Sequence, residues 1–285
     1  MVPASQIVPS SGPSSMLDAD PPSDWKKRTR RDLRATVRTI VALMLREMST
    51  RYGRSPGGYL WAVMEPVGAT MIMAVGFSLL MRHPALGTSF MLFFATGMMP
   101  FTLYNAVDGA VMRSLSYSRA LLMYPSVRWI DAVLARFLLN LLTKLLIMVL
   151  VLAGILIVTE TRSVLNFGPI LAGILMTALL GLGTGLMNCV LEGLFPAWGM
   201  IWNIATRPLY LASGVILLYE DLPHFAQDIL WWNPLLHIIG EIRTGFYPMY
   251  SASYVSIPYV TGVGLVLVAL GFLLVRRHNV TILND

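Results

Sequence analysis

Six long apolar segments, separated by short polar ones, dominate the chain from residue 60 onward. They cover about residues 60–81, 90–111, 131–158, 167–190, 198–219 and 258–275. Each has about the 20 residues that an α-helix needs to cross the hydrocarbon of a bilayer. The pattern predicts an all-α integral membrane protein with six transmembrane helices. Composition agrees, because only 13% of the 285 residues are charged, whereas soluble domains have about 25%.

The polar segment before the first span divides into two parts. Residues 1–23 are rich in Pro, Ser, Ala and Asp and have no apolar core of a signal peptide, so we predict a disordered cytoplasmic tail. Residues 24–56 predict an amphipathic interfacial helix and its connector, with many basic residues on the polar side. The alternative is a solvated helix packed on a partner protein. The apolar stripe of this helix consists of Leu33, Val37, Ile40, Met44 and Met48.

The distribution of positive charge sets the predicted orientation. If the N-terminus is cytoplasmic, 15 of the 21 lysines and arginines lie in cytoplasmic segments and three lie in external ones. Short cytoplasmic loops of membrane proteins carry this excess of Lys and Arg. We therefore expect both termini in the cytoplasm. Because the basic residues lie at the ends of apolar runs, the net charge of +6 does not indicate nucleic-acid binding.

The segment between the last two predicted spans is neither a plain loop nor a full span. Two half-length helical patterns cover residues 222–246, and Asn233-Pro234 separates them after Trp231 and Trp232. Such a pair predicts a re-entrant hairpin, which membranes tolerate where protein buries the turn. The alternative is an external amphipathic cap that rests on the headgroups.

Sequence motifs of catalysis, metal binding and ATP binding are missing from the chain. Gly181, Gly183 and Gly185 lie inside an apolar run, so they predict close helix packing rather than a nucleotide loop. The spacing of His237 and Glu241 is weak support for a metal site, and the single cysteine, Cys189, predicts a small buried residue. We expect no catalytic residues, no bound metal and no ATP site in this chain.

Ionisable residues inside the predicted spans are the strongest functional candidates, because each is costly in hydrocarbon unless it faces water or a partner. Arg207 lies ten residues into the fifth span, roughly 14 Å along a helix, near Trp202 and Tyr210. It either binds an anionic sugar or lipid phosphate, or forms an ion pair with Glu65 or Glu192. For Lys144 and Arg136 the alternatives are a place along a path or a pair with Asp131 or Glu192.

Several short strings, in order over residues 45–255, resemble ABC-2 type permeases, and most closely the permease subunits of capsular polysaccharide exporters. They are Arg51-Tyr52-Gly53-Arg54-Ser55, Gly58-Tyr59-Leu60-Trp61-Ala62, Glu65-Pro66, Leu92-Phe93-Phe94-Ala95-Thr96-Gly97, Ser118-Arg119-Ala120-Leu121-Leu122, Tyr124-Pro125, Arg207-Pro208-Leu209, Asn233-Pro234-Leu235, Glu241-Ile242-Arg243 and Gly245-Phe246-Tyr247. On this resemblance, residues 57–285 are the six-span permease domain.

The resemblance implies a transport subunit rather than an enzyme. It implies a homodimer of permeases with two ATP-binding cassette subunits, which hold ATP and magnesium, and a periplasmic polysaccharide co-polymerase. The membrane would be the inner membrane of a Gram-negative bacterium, and the substrate a lipid-linked, acidic capsular polysaccharide. Alternatives are an O-antigen or teichoic-acid exporter, or an integral membrane enzyme acting on lipid-linked sugars, which no cluster of acid and base residues supports.

The resemblance also assigns expected roles. Residues 114–127 would be the coupling helix, and residues 222–246 the periplasmic gate helices. Contacts with the ATP-binding subunit would come from Arg113, Arg119 and Tyr124. The substrate path would include Arg207, Trp202, Tyr210, Glu65, Tyr59, Trp61 and Lys144, and the gate would include Trp231, Trp232, Asn233, Pro234, Glu241 and Arg243.

Overall fold

The computed structural model describes residues 33–52, 58–122, 127–159 and 164–284, with side chains for 36–48, 60–122, 127–159, 164–279 and 282. Every regular element in these ranges is an α-helix, as the apolar pattern predicts. The helices are α1 (Leu33–Tyr52), α2 (Gly58–Leu80), α3 (Phe90–Met112), α4 (Ser114–Leu122), α5 (Trp129–Val158), α6 (Phe167–Leu194), α7 (Trp198–Ala212), α8 (His224–Leu230), α9 (Pro234–Phe246) and α10 (Ile257–Asn284).

The chain forms two compact units, residues 1–38 and 39–285. Of the first unit the structure describes the start of α1, so the predicted tail 1–23 lies outside the described residues. Helix α1 has an exposed apolar stripe that differs in part from the predicted one, since it shares Val37 and Met48 but continues through Val41 and Leu45. An exposed apolar stripe on a basic helix is suited to a membrane interface.

Helix α3 is the centre of the fold. It packs against α2, α5, α6 and α9, and most of its residues are buried. Large side chains such as Leu103, Tyr104 and Val107 fill the space between these helices. A helix that is apolar all round is expected in such a central position.

Five of the six predicted spans are confirmed as helices long and apolar enough to cross a membrane: α2, α3 with α4, α5, α6 and α10. The predicted fifth span, 198–219, is shorter than expected. Helix α7 ends at Ala212 after 15 residues, about 22 Å, whereas the hydrocarbon is about 30 Å thick. The helix stops where Gly214 adopts a positive φ of 76°, a conformation that glycine adopts without steric cost.

The glycines of α6 contact other helices, as predicted from their place in an apolar run. A Cβ at Gly183 would lie 2.8 Å from Leu267 Cβ on α10, and one at Gly185 would lie 2.9 Å from the Asp108 carbonyl oxygen on α3. Small residues let helix backbones approach closely in this way. They hold α6 between α10 and α3.

Candidate functional site

A polar cavity of about 470 Å³ lies between α3 and α7. Each helix contributes one face at helical spacing. The lining residues of α3 and its C-terminal end are Phe101, Asn105, Asp108, Gly109, Met112 and Arg113, and those of α7 are Trp202, Asn203, Thr206, Arg207 and Tyr210. Three residues predicted for a substrate path, Trp202, Arg207 and Tyr210, therefore share one cavity.

The charged groups of the cavity are two arginines and one carboxylate. Arg207 is exposed, and among the described residues no carboxylate oxygen lies within 4.0 Å of its guanidinium. The predicted alternative, an ion pair of Arg207 with Glu65 or Glu192, is therefore not formed within the described chain. Arg113 lies at the end of α3 and also lines the cavity. The contact with an ATP-binding subunit that the resemblance implies for it stays a prediction.

Aromatic rings form part of the cavity wall. Tyr210 on α7 meets Phe101 on α3 edge to face, with ring centroids 4.9 Å apart. Trp202 donates its indole Nε1–H to Asp108 Oδ2 over 2.7 Å, so the acid of α3 anchors a tryptophan of α7. Aromatic faces beside arginine and amide groups form a surface on which sugar rings can stack while their acidic groups are bound.

The end of α7 is held by Arg243 of α9. Arg243 is 2% exposed; it donates from Nη1 to the Gly214 carbonyl oxygen over 2.7 Å and from Nη2 to the Val215 carbonyl oxygen over 3.0 Å. Its guanidinium carbon lies 4.4 Å from the centre of the Phe93 ring. Buried carbonyl oxygens need a hydrogen-bond donor, so the buried guanidinium stabilises the turn that follows α7.

Helices α8 and α9 confirm the predicted pair of short helices around Asn233-Pro234. Asn233 caps α9 by accepting from Leu235 N over 3.0 Å, and its amide donates to the Ala212 carbonyl oxygen over 3.0 Å. Most of α9 is buried, and it packs against α6, α3 and α10. This burial is in protein, so re-entry into the bilayer and an external cap on the headgroups both stay predictions.

The two tryptophans before α9 differ in their surroundings. Trp231 stacks on Tyr259 with ring centroids 5.2 Å apart, and it donates to the Tyr254 carbonyl oxygen over 3.3 Å. Trp232 is 67% exposed. Glu241 is half-buried, and burial raises the pKa of its carboxyl group. The role of these residues in a gate stays a prediction.

His237 is a structural residue of this pair rather than a metal ligand. The Ser256 backbone N–H donates to its Nδ1 over 3.2 Å, and its Nε2 lies 2.7 Å from the Trp231 carbonyl oxygen. A ring that accepts at Nδ1 and donates at Nε2 is neutral. Burial lowers the pKa of His237 in agreement with this. Among the described residues no group of three or more His, Cys, Asp or Glu could hold a metal ion.

The predicted coupling segment 114–127 is shorter as a helix, because α4 ends at Leu122. Arg119 is exposed on it, while Tyr124 lies outside the described residues. Sequence reasoning missed a buried contact that joins α4 to α1. Arg136 Nη2 on α5 lies 3.3 Å from Glu47 Oε1 on α1, and its guanidinium carbon lies 4.2 Å from the centre of the Tyr117 ring on α4.

The remaining candidates for a substrate path lie on or near α2. Tyr59 belongs to the first turn of α2, but its side chain lies outside the described residues. Trp61 is 70% exposed. Glu65 and Lys144 line a second cavity of about 80 Å³ between α2, α3 and α5, so the structure does not bring them to the larger cavity.

Sequence reasoning also missed three polar residues of the large cavity, Asn105, Asn203 and Thr206. Their spacing along the sequence could have identified them. Asn105 lies one turn from Phe101 and Gly109, and Asn203 and Thr206 lie one turn from Arg207 and Tyr210. Polar residues on one face of an apolar helix indicate a face that does not meet lipid.

A sequence model described as ABC-2 type transporter matches residues 38–247. This range covers α2 to α9 and thus both walls of the cavity. The chain belongs to the ABC-2 type transporter family.

Three characterised relatives match this ABC-2 transporter over nearly all of their length. The polysialic acid transport protein KpsM of Escherichia coli is 29% identical over 247 residues, which are 87% of this chain and 96% of KpsM. The capsule polysaccharide export inner-membrane protein CtrC of Neisseria meningitidis serogroup A is 27% identical over 242 residues, 85% of this chain and 91% of CtrC. The capsule polysaccharide export inner-membrane protein BexB of Haemophilus influenzae is 26% identical over 254 residues, which are 89% of this chain and 96% of BexB.

Proposed function

We propose that this chain is the permease subunit of an ATP-driven exporter that moves a lipid-linked, acidic capsular polysaccharide across a bacterial inner membrane. The observation that carries the proposal is the cavity between α3 and α7, in which two arginines, three aromatic rings and three amide or hydroxyl side chains meet. The names of KpsM, CtrC and BexB, which describe transport or export of polysialic acid or capsule polysaccharide, support the same substrate class.

Each group in the cavity has a chemical task in this proposal. Arg207 and Arg113 attract carboxylates or phosphates of the polysaccharide, because a guanidinium can donate two parallel hydrogen bonds to such groups. Trp202, Tyr210 and Phe101 offer apolar ring surface to the sugars. The polar side chains of the wall exchange hydrogen bonds with hydroxyl groups as the chain moves past.

A homodimer completes the path in this proposal. Helix α7 has no buried residue within the described chain, and α2 exposes large apolar residues such as Ile72 and Leu79. The cavity beside α7 therefore opens on a surface that this chain does not cover. A second copy with its own α7 would enclose a path between two such cavities.

ATP hydrolysis belongs to separate subunits in this proposal. Helix α4, with exposed Arg119, receives the motion of the ATP-binding subunit on the cytoplasmic side. Arg136 passes it on, because its side chain contacts Glu47 of α1 and Tyr117 of α4. Helices α8 and α9 form the external gate, to which a periplasmic co-polymerase binds. Both termini are cytoplasmic.

Two experiments test the proposal. In the first, the tagged chain is expressed with the genes that flank it and is purified in mild detergent. We expect an ATP-binding subunit in equal amount and vanadate-sensitive ATP hydrolysis. A chain that purifies alone, even after crosslinking at residues 114–122, would contradict the exporter function and favour an enzyme acting on lipid-linked sugars.

The second experiment replaces Arg207 with alanine in a strain that depends on this permease for its capsule. We expect at least about a tenfold loss of surface capsule, because a charge-assisted contact contributes about 1.5–3 kcal/mol, with normal amounts of protein in the membrane. Arg277→Ala, at an exposed arginine near the end of α10, is the matched control. Normal capsule in the Arg207→Ala strain would remove this arginine from the path.

A further inference from the structure

Asp108 is a buried acid whose two oxygens are bound by uncharged donors. It is 2% exposed and lies on α3, at the wall of the cavity. Its Oδ2 accepts from Trp202 Nε1 over 2.7 Å, and its Oδ1 accepts from Asn188 Nδ2 over 3.0 Å. Because both oxygens of this buried carboxylate accept hydrogen bonds from protein side chains, we assign it to holding those side chains rather than to binding a ligand in the cavity.

Asn188 of α6 extends this contact to a second tryptophan. Its Oδ1 accepts from Trp198 Nε1 over 3.0 Å, while its amide group donates to Asp108. Trp198 and Trp202 stand one helical turn apart on α7, with ring centroids 6.3 Å apart and planes 20° apart. Donors and acceptors therefore alternate along a chain of four side chains, in the order Trp202, Asp108, Asn188 and Trp198.

These hydrogen bonds fix the start of α7, a helix in which no residue is buried. Each indole has a single N–H donor, so a bond at that atom sets the direction in which the ring lies. The Asn188 amide has one orientation that satisfies both of its neighbours, because its oxygen must face an indole and its nitrogen must face the acid. Both ring positions are thus determined by one carboxylate and one amide.

We propose that Asp108 and Asn188 are a positioning pair that presets the indole rings of α7 for stacking on the sugars of the exported polysaccharide. The inference rests on the proposed function, since it takes the cavity as the polysaccharide path. Trp202 is the ring that lines the cavity, and Trp198 supports it from one turn below. The pair acts through the tryptophans and does not itself bind the sugar.

The alternation of donors and acceptors gives a sharp test. In Asp108→Asn the single amide oxygen at 108 faces two donors, those of Trp202 and Asn188, so one buried donor loses its acceptor. In Asn188→Asp two carboxylates face one another. The double variant Asp108→Asn with Asn188→Asp restores all three bonds and reverses only the one between positions 108 and 188. The amide oxygen at 108 accepts from Trp202, the amide nitrogen at 108 donates to the acid at 188, and this acid also accepts from Trp198.

Two readouts are measured for each variant. The first is export of capsular polysaccharide to the cell surface. The second is the rate at which a maleimide labels Asn203→Cys, a cavity residue beside Trp202, in a Cys189→Ala background of the assembled permease. Asp108→Asn should lower export about tenfold, the effect of one unpaired buried donor, and Asn188→Asp should lower it at least as much because like charges repel at a buried site. Both should change the labelling rate. The double variant should recover both. Asp221→Asn, at an exposed acid, is the control and should change neither.

The outcomes distinguish a positioning role of Asp108 and Asn188 from a merely structural role. They also distinguish a failure of this inference from a failure of the proposed function. Wild-type export in Asp108→Asn would overturn the positioning pair. So would a double variant that is present at wild-type level in the membrane but is as defective as the single variants in both readouts. If labelling changes and recovers as expected while the unaltered permease exports no polysaccharide, the positioning of the rings stands and the proposed function fails.

Discussion

The guanidinium of Arg243 is expected to contribute more to stability than any other single charged group of α8 and α9. It donates hydrogen bonds to two carbonyl oxygens, those of Gly214 and Val215, in the segment that follows α7. It also lies over the face of Phe93. Replacing Arg243 with methionine keeps much of the buried volume but leaves both carbonyls without their donors.

The magnitude follows from these contacts. An unsatisfied buried acceptor costs about 1–3 kcal/mol, so two of them cost about 2–6 kcal/mol. Part of this is offset, because methionine does not require the desolvation of a charge. We therefore expect a loss of about 3 kcal/mol in the free energy of unfolding, which corresponds to a fall in Tm of roughly 6–12 °C for a chain of this size.

The assay is thermal unfolding of the purified permease in one detergent, followed by tryptophan fluorescence. Arg243→Lys should fall between wild type and Arg243→Met, because an ammonium group keeps the charge but does not present the planar fork of donors. Arg82→Met, at an exposed arginine after α2, is the control. If Arg243→Met unfolds at the same temperature as Arg82→Met, packing alone maintains the end of α7 and the reasoning is refuted.

Two further predictions concern α1 and α9. Glu47→Gln and Arg136→Gln should each destabilise the protein, because the two side chains form a buried ion pair. Their effects on the free energy of unfolding should be non-additive by about 0.5–3 kcal/mol in a double-mutant cycle. Additive effects would show that the pair contributes nothing. Burial lowers the pKa of His237 in the folded protein relative to the unfolded protein. The contribution of neutral His237 to the free energy of unfolding is therefore fully present above the unfolded pKa of about 6.5, and it is lost as the pH falls through the folded pKa. Tm measured from about pH 8 to about pH 5 should fall in wild type and change less in His237→Gln, and equal slopes would assign the loss to other groups.

The sequence by itself determined the class of the protein and most of its helices. Apolar runs of 18 or more residues predict α2, α3, α5, α6 and α10, because a chain in hydrocarbon must satisfy its backbone within each helix. Asn233-Pro234 separates α8 from α9, since asparagine caps a helix and proline is suited to its first turn. The short strings that resemble ABC-2 permeases indicated the family.

The sequence also marked part of the site, because position in a span is a local property. Arg207, Trp202 and Tyr210 lie within nine residues of one another on one helix, so their spacing alone suggested a shared region. Glu65 and Lys144 were grouped with them because charged residues are costly inside a span, but they lie at a different cavity.

Only the tertiary structure decided which polar groups meet. Asp108 and Asn188 are 80 residues apart, and Glu47 and Arg136 are on helices separated by three others, so no periodicity along the chain could pair them. The end of α7 was likewise missed because the apolar run continues past it through Val215, Ile216 and Leu217. Hydrophobicity extends the predicted span to 219, whereas the bonds from Arg243 to the carbonyls of Gly214 and Val215 stabilise a turn there. Such bonds exist only once the fold brings Arg243 of α9 to the segment that follows α7.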